Sequence, residues 1–431
     1  MMKETTVMRL MNTISKSTSP FHAAGEAEAQ LQQAGYTKLG WRESWNLKRG
    51  GKYYVCPFGT TVIAFRVNPE GGSTQSVRIS SAHIDSPGLR IKAGKDMESD
   101  YYLKINVEEY GGGIWNTWMD RPLSVAGRVI LRGDNPFETN TRLIDFQEPI
   151  FVIPNLAIHL NRSVNEGIAV KPQTDLIPIA GCGEYQKGAF QKEMARRLKV
   201  REEDILSYEM CLYNQEQGTA AGLNGELLLA PRLDNLTSMQ ACLTGLAEGS
   251  RAEGMDVIAL FDHEEIGSRS RNGAASNLLE SVLERAFYGL GYTRQAFLES
   301  MASGCYLSLD VAHADHPNHR DETDPTTGIR LNEGVAVKTT ARQSYCTDGE
   351  MTGVLMQLAG IAGVPCRVNY PRSGSKGGST VGPMVASGLL PNSADIGIPI
   401  LAMHSAMETA GALDQCYLEE LMKVYYGTEA V

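Results

Sequence analysis

Five apolar, β-rich runs in this chain stop abruptly at side chains that ionise or ligate metals. They are "SVRISSAHID", "LLLAPRLDN", "MDVIALFDHEE", "CYLSLDVAHA" and "ADIGIPILAMHS". Segments of helical period lie between them; in "DNLTSMQACLTGLAEG", Leu236, Met239, Leu243 and Leu246 recur on one face. Near-continuous apolar strands need cover on both sides, so the pattern predicts an α/β domain with a mixed, mostly parallel sheet flanked by helices. In such sheets ligands bind beyond the carboxyl ends of the strands. Separate pieces of chain converge there.

The middle of the chain differs. "YYLKINVEEYGGGIWNTWMDRPLSVAGRVILRG" alternates with a period of two and carries a triple glycine, which suits an antiparallel or barrel-like module. No GK[ST] follows "EYGGGIW", so a turn or close backbone approach is expected, not a phosphate loop. The expected organisation is an α/β domain of residues 1–92 and 217–431, interrupted by a β-rich insertion at 93–216.

A length of 431 residues fits two domains, and a net charge of −10 argues against nucleic acid or an anionic membrane as partner. The eight cysteines are scattered without a C-x-x-C pair, so buried free thiols are expected. No apolar run approaches the ~20 residues of a membrane helix. The N-terminus lacks a signal-peptide core, and a cytoplasmic location is the expectation.

The polar ends of the runs carry the chemistry: His83 with Asp85, Asp234 in "LLLAPRLDN", Glu264 with Glu265, Asp310, and His404. Each alone has a plainer reading. Asp234 could cap a helix, Glu264 and Glu265 could be a solvated helix start, and a strand-end histidine is commonly structural. Several acids at one sheet edge would nevertheless repel and protonate unless cations were present. Two histidines and three carboxylates suit a pair of divalent ions, zinc or a first-row relative. One shared carboxylate can bridge them, and a spare one can take a proton from water. The chemistry so implied is hydrolysis of an amide or ester; no G-x-S-x-G elbow or activated cysteine offers an alternative.

The ordered set "SPFHAAGEAEAQLQQAGYTKL", "SSAHIDSPGLRIK", "YGGGIWNTWMDRPLSVAGRV", "IPNLAIHLNR", "PRLDN", "FDHEEIGS", "SLDVAHADHPN", "KTTARQSYCTDGE", "GGSTVGPM" and "AMHS" resembles the aspartyl aminopeptidase family, which includes vacuolar aminopeptidase I. It spans essentially the whole chain. The resemblance implies a zinc-exopeptidase-like fold whose insertion dimerises within a dodecamer. It also implies removal of N-terminal Asp or Glu from peptides, using two divalent ions per subunit, zinc foremost, with manganese or cobalt as alternatives.

By the same resemblance Asp234 bridges the ions, His83 and Asp310 complete one site, and Glu265 and His404 the other. Glu264 becomes the general base and acid, and Asp85 fixes the His83 tautomer. His159 is implied to reach a neighbouring subunit's active site, and Lys338 and Tyr345 to bind the substrate's acidic side chain.

One loop departs from the family. "RSGSKGGST" stands where "RSDxPxGST" is usual, so Gly374 replaces an aspartate and Lys376 adds a charge. A neutral-residue preference on the same machinery therefore stays open. A silent metal-binding scaffold is the remaining alternative, disfavoured by the intact Glu264. Ala406 and Met407 also differ from the usual residues, with little effect expected. His313, His316 and His319 are read as turn and packing residues, because Pro317 interrupts any shared helical face.

Overall fold

The computed structural model describes residues 2–429 except 73–75, 95–96, 98–100, 168, 185–187 and 376; Lys376 of the departing loop therefore lies outside the described residues. A nine-stranded sheet organises the chain. Its strand order is Thr37–Lys38, Lys52–Val55, Val62–Val67, Met255–Phe261, Val77–His83, Cys305–Leu309, Asn392–Gly397, Val335–Lys338 and Cys366–Asn369. Five of its eight pairings are parallel, so the sheet is mixed and mostly parallel.

The apolar runs explain the layering. All of Val62–Val67 is buried: Val62 and Ala64 face one helical layer, and Ile63, Phe65 and Val67 the other. Successive strand side chains point to opposite faces, so a strand covered on both sides must be apolar throughout. One layer contains the helices Met2–Lys16, Pro20–Gln33, Leu233–Glu248, Gly349–Ala362 and Asp414–Gly427. The other contains Leu278–Gly289, Arg294–Ser303 and Gly382–Gly388. Leu236, Met239, Leu243 and Leu246 are all buried in the first layer, each worth about 1.5–3 kcal/mol of burial. Local chemistry sets the ends: Asp348 Oδ1 accepts Met351 N–H at 2.8 Å, and Gly363, at φ +66°, closes the same helix.

A second, wholly antiparallel sheet orders Val107–Tyr110, Gly88–Ile91, Ile205–Asn214, Leu123–Arg132 and Thr139–Asp145 around its own core, which includes Val125, Val129, Phe151 and Met210. The strand Gly88–Ile91 joins this sheet although it precedes residue 93. A third sheet pairs Leu227–Ala230 with Glu408–Gly411 and also takes Pro399–Leu401 and Ala312–His313. It ties the segments before Asp234 and after His404 together. Of the eight free cysteines only Cys242 and Cys416 are buried; Cys182 is exposed and the rest are half-buried, which corrects the expectation of buried thiols. Among the described residues no helix is long and apolar enough to cross a membrane.

Candidate metal centre

Parallel pairing sets Phe261 opposite His83, so two strands end at one level. Beyond Phe261 the chain turns: His263 adopts φ +65°, and Glu264–Ile266 form a single 3-10 turn. The tight turn, not strand pleating, carries the two glutamates. Asp85 holds it in place. Its Oδ1 and Oδ2 accept the backbone N–H groups of Glu264 and Glu265, each at 3.2 Å, and Tyr110 Oη donates to Oδ2 at 2.7 Å. The triple glycine supplies the close approach: a Cβ on Gly111, at φ +72°, would stand 3.1 Å from Glu265 Cβ.

Five of the expected ligands converge. His83 Nε2 lies 3.2 Å from Asp234 Oδ1 and 3.7 Å from Asp310 Oδ1. His404 Nε2 lies 3.2 Å from Asp234 Oδ2 and 3.5 Å from Glu265 Oε2. Asp234 thus stands between the imidazoles, one oxygen toward each, instead of capping the helix that follows. His83, Asp234 and Glu265 each offer a ligand atom within 4.8 Å of the others.

Hydrogen bonding on the far side of each ring decides what these contacts need. His83 Nδ1 lies 3.0 Å from Asp85 O, and His404 Nδ1 lies 2.9 Å from Gly112 O. A carbonyl oxygen can only accept, so Nδ1 carries the proton and Nε2 turns a lone pair toward carboxylates. Acceptor then faces acceptor unless a cation intervenes. Asp234 Oδ1 and Glu265 Oε1 are moreover buried without a hydrogen-bond partner among the described residues. The donor set fits divalent ions. His83 Nδ1 is 3.5 Å from the Asp85 carboxylate, so the Asp85 backbone, more than its side chain, sets the tautomer.

Protons take the cation's place in the metal-free chain. Burial disfavours a charged His404, but Asp234 and Glu265 overcome it and lift the imidazole to about 10. His83 is likewise raised well above its ordinary value against burial, through Asp234, Asp310 and Asp85. Burial pushes Glu264 up to about 7, with Asp310 and Asp85 adding to it. Glu408 goes to about 8, by burial first and then by Asp234.

The five expected ligands and Glu264 open on a cavity of about 490 Å³. Lys338, Tyr345, Ser375 and Gly377 also line it, as does His313. His313 sits in a short strand on the wall, so the turn-and-packing reading fails for it. Its imidazole is lowered by burial and by Lys338. His159 is elsewhere, exposed on the turn after Ala157 and outside the cavity of its own chain. Gly374 has φ +89° and open space around it, a backbone that favours glycine over the family's aspartate. Sequence reading does not single out Glu408 or Tyr110; an acid four residues past His404 is the available signal, and its burial appears only in the structure.

Known proteins resemble this chain in sequence and fold. The family described as "Aminopeptidase I zinc metalloprotease (M18)" matches residues 13–426. "Probable M18 family aminopeptidase 2" of Clostridium novyi is 39% identical over 421 residues, 97% of each chain. The structure of the Ape4 and Nbr1 complex superposes with TM-score 0.93 at 30% identity, covering 98% of this chain and 86% of that one. The S. cerevisiae mApe1 dodecamer, at 22% identity and TM-score 0.84, covers 98% of this chain and 96% of its own and shares the fold. The chain belongs to the M18 family of zinc metalloaminopeptidases, hydrolases acting on peptide bonds.

Proposed function

We propose that this aminopeptidase removes N-terminal Asp or Glu from peptides, with two divalent ions per subunit. The observation that carries the acidic preference is a cation in the cavity wall: Lys338, beside Tyr345, next to the proposed ligand Asp310. Two ions suit a carboxylate, Asp234, that offers one oxygen to each imidazole. His83 and Asp310 would hold one ion, Glu265 and His404 the other. When bound, such ions polarise a peptide carbonyl and lower the pKa of water toward about 7.

The chain's own residues do the rest. Glu264, in the cavity wall and outside the close ligand cluster, takes a proton from the attacking water at its carboxylate and returns it to the departing amine. Asp85 keeps the turn that sets Glu264 and Glu265 apart. The β-rich part between residues 93 and 216 would serve dimerisation, with His159 lent to the neighbouring subunit's cavity. A dodecamer is proposed by likeness to the dodecameric mApe1. A cytoplasmic location, resting on cysteine usage, completes the reading.

A neutral-residue preference is favoured by one observation: the Lys338 ammonium already donates to Val311 O at 3.1 Å. A panel of aminoacyl chromogenic substrates, run with zinc, manganese and cobalt, tests the choice. The expected result is faster cleavage of glutamyl and aspartyl substrates than of leucyl. The reverse order would establish the neutral reading.

A further inference from the structure

Lys338 ends the strand Val335–Lys338 with 3% of its surface exposed. Its Nζ donates to Val311 O at 3.1 Å, stands 3.5 Å from Asp310 Oδ2 and lies 5.1 Å from the centre of the Tyr345 ring. The other oxygen, Asp310 Oδ1, is the one turned toward His83 Nε2. A buried ammonium is costly unless it is paired, and here the pairing is with a carboxylate of the centre itself. An ammonium has three N–H groups. One is on the carbonyl, a second faces Asp310, and the third is left for the side of the cavity that Lys338 lines with Tyr345.

We propose that Lys338 is a positioning residue for Asp310: by holding Oδ2 it turns Oδ1 toward His83, and so sets how firmly that side of the centre retains a divalent ion. This rests on the ligand roles proposed for Asp310 and His83. It deepens the acidic reading, since a substrate carboxylate would join Asp310 on an ammonium that is already engaged. Lys338 then matters for every substrate, and more for acidic ones.

Zinc affinity is measured by competition with a chromophoric chelator in the absence of substrate, and kcat/KM on leucyl and glutamyl p-nitroanilides. Lys338→Met is expected to lose about tenfold or more in affinity for the weaker zinc ion, the scale of losing a partner of a ligating group. Leucyl cleavage falls with it, and glutamyl cleavage falls further. Lys338→Gln keeps a neutral N–H donor and is expected to lie between Lys338→Met and wild type in zinc affinity and leucyl cleavage. Its glutamyl cleavage stays low.

Wild-type zinc affinity in Lys338→Met overturns the positioning role. If that variant does not fold, wild-type zinc affinity in Lys338→Gln does the same. Loss of glutamyl cleavage alone, with zinc retained, leaves the acidic preference standing and removes this inference. Equal loss on both substrates with weakened zinc supports the inference and removes the acidic preference.

Discussion

Glu408 Oε2 accepts the backbone N–H of Asp234 at 3.0 Å. Its other oxygen accepts the backbone N–H of His404 at 2.7 Å, so one buried carboxylate fixes the main chain at two proposed ligands. Glu408→Gln keeps one acceptor oxygen and sets an amide NH2 against the other N–H. The unpaired buried groups are expected to cost about 1–3 kcal/mol of stability, seen as a lower Tm. Zinc affinity is expected to fall about 10- to 100-fold, as when other supports of ligating groups are lost. A wild-type Tm and zinc titration would show that Glu408 supports neither.

Glu264→Gln separates the proposed base from the proposed ligands. The substitution keeps the shape of the side chain and removes its ability to take a proton. Turnover is expected to drop by at least about 100-fold while the content of divalent ions, proposed as two per subunit and counted by elemental analysis, stays at the wild-type level. Loss of an ion would instead make Glu264 a ligand, and retained turnover would move the base elsewhere.

Much of this was legible in the sequence because strands covered on both faces announce themselves. "MDVIALF" is apolar enough to read as a central strand, and the charged residues that follow it mark the sheet's carboxyl edge. Non-local pairing was not legible. Gly88–Ile91 pairs with Cys211 and its neighbours far along the chain, so no local pattern assigns it to the second sheet. Nor does local pattern find Tyr110, whose hydroxyl reaches Asp85 only after that pairing has formed. Pro317 excludes a shared helical face but does not govern His313, which lies in a two-residue strand pairing with Pro399 and Ile400 that no local pattern announces.

Metal binding should be tied to pH through the imidazoles. Without metal, His404 stays protonated up to about 10, and His83 is raised as well. For a histidine raised on folding, the stabilisation is complete below its unfolded value of 6.5 and is lost as pH rises through the folded one. Divalent ions take only the neutral ring, so binding expels protons across that window. Calorimetry near about pH 7.5 in buffers of different ionisation enthalpy is expected to show proton release. The zinc-induced rise in Tm is expected to grow between about pH 6.5 and about pH 9. A rise independent of pH would rule the imidazoles out as ligands.

His159 provides the test of assembly. It projects from an exposed turn whose apolar neighbours Leu156, Ile158 and Leu160 are 56%, 46% and 74% exposed. If the loop enters a neighbour's cavity, His159→Ala and Glu264→Gln lie in different chains of one functional site. Each variant alone is expected to be nearly inactive. When the two are unfolded together and reassembled in equal amounts, a mixed dimer contains one site with both residues intact. Random pairing makes half the dimers mixed, so roughly a quarter of wild-type activity should return. If His159 acted within its own chain, each site would still lack one residue and no activity would return. Because neither variant repairs the other in cis, recovery can come only from a side chain that crosses between subunits.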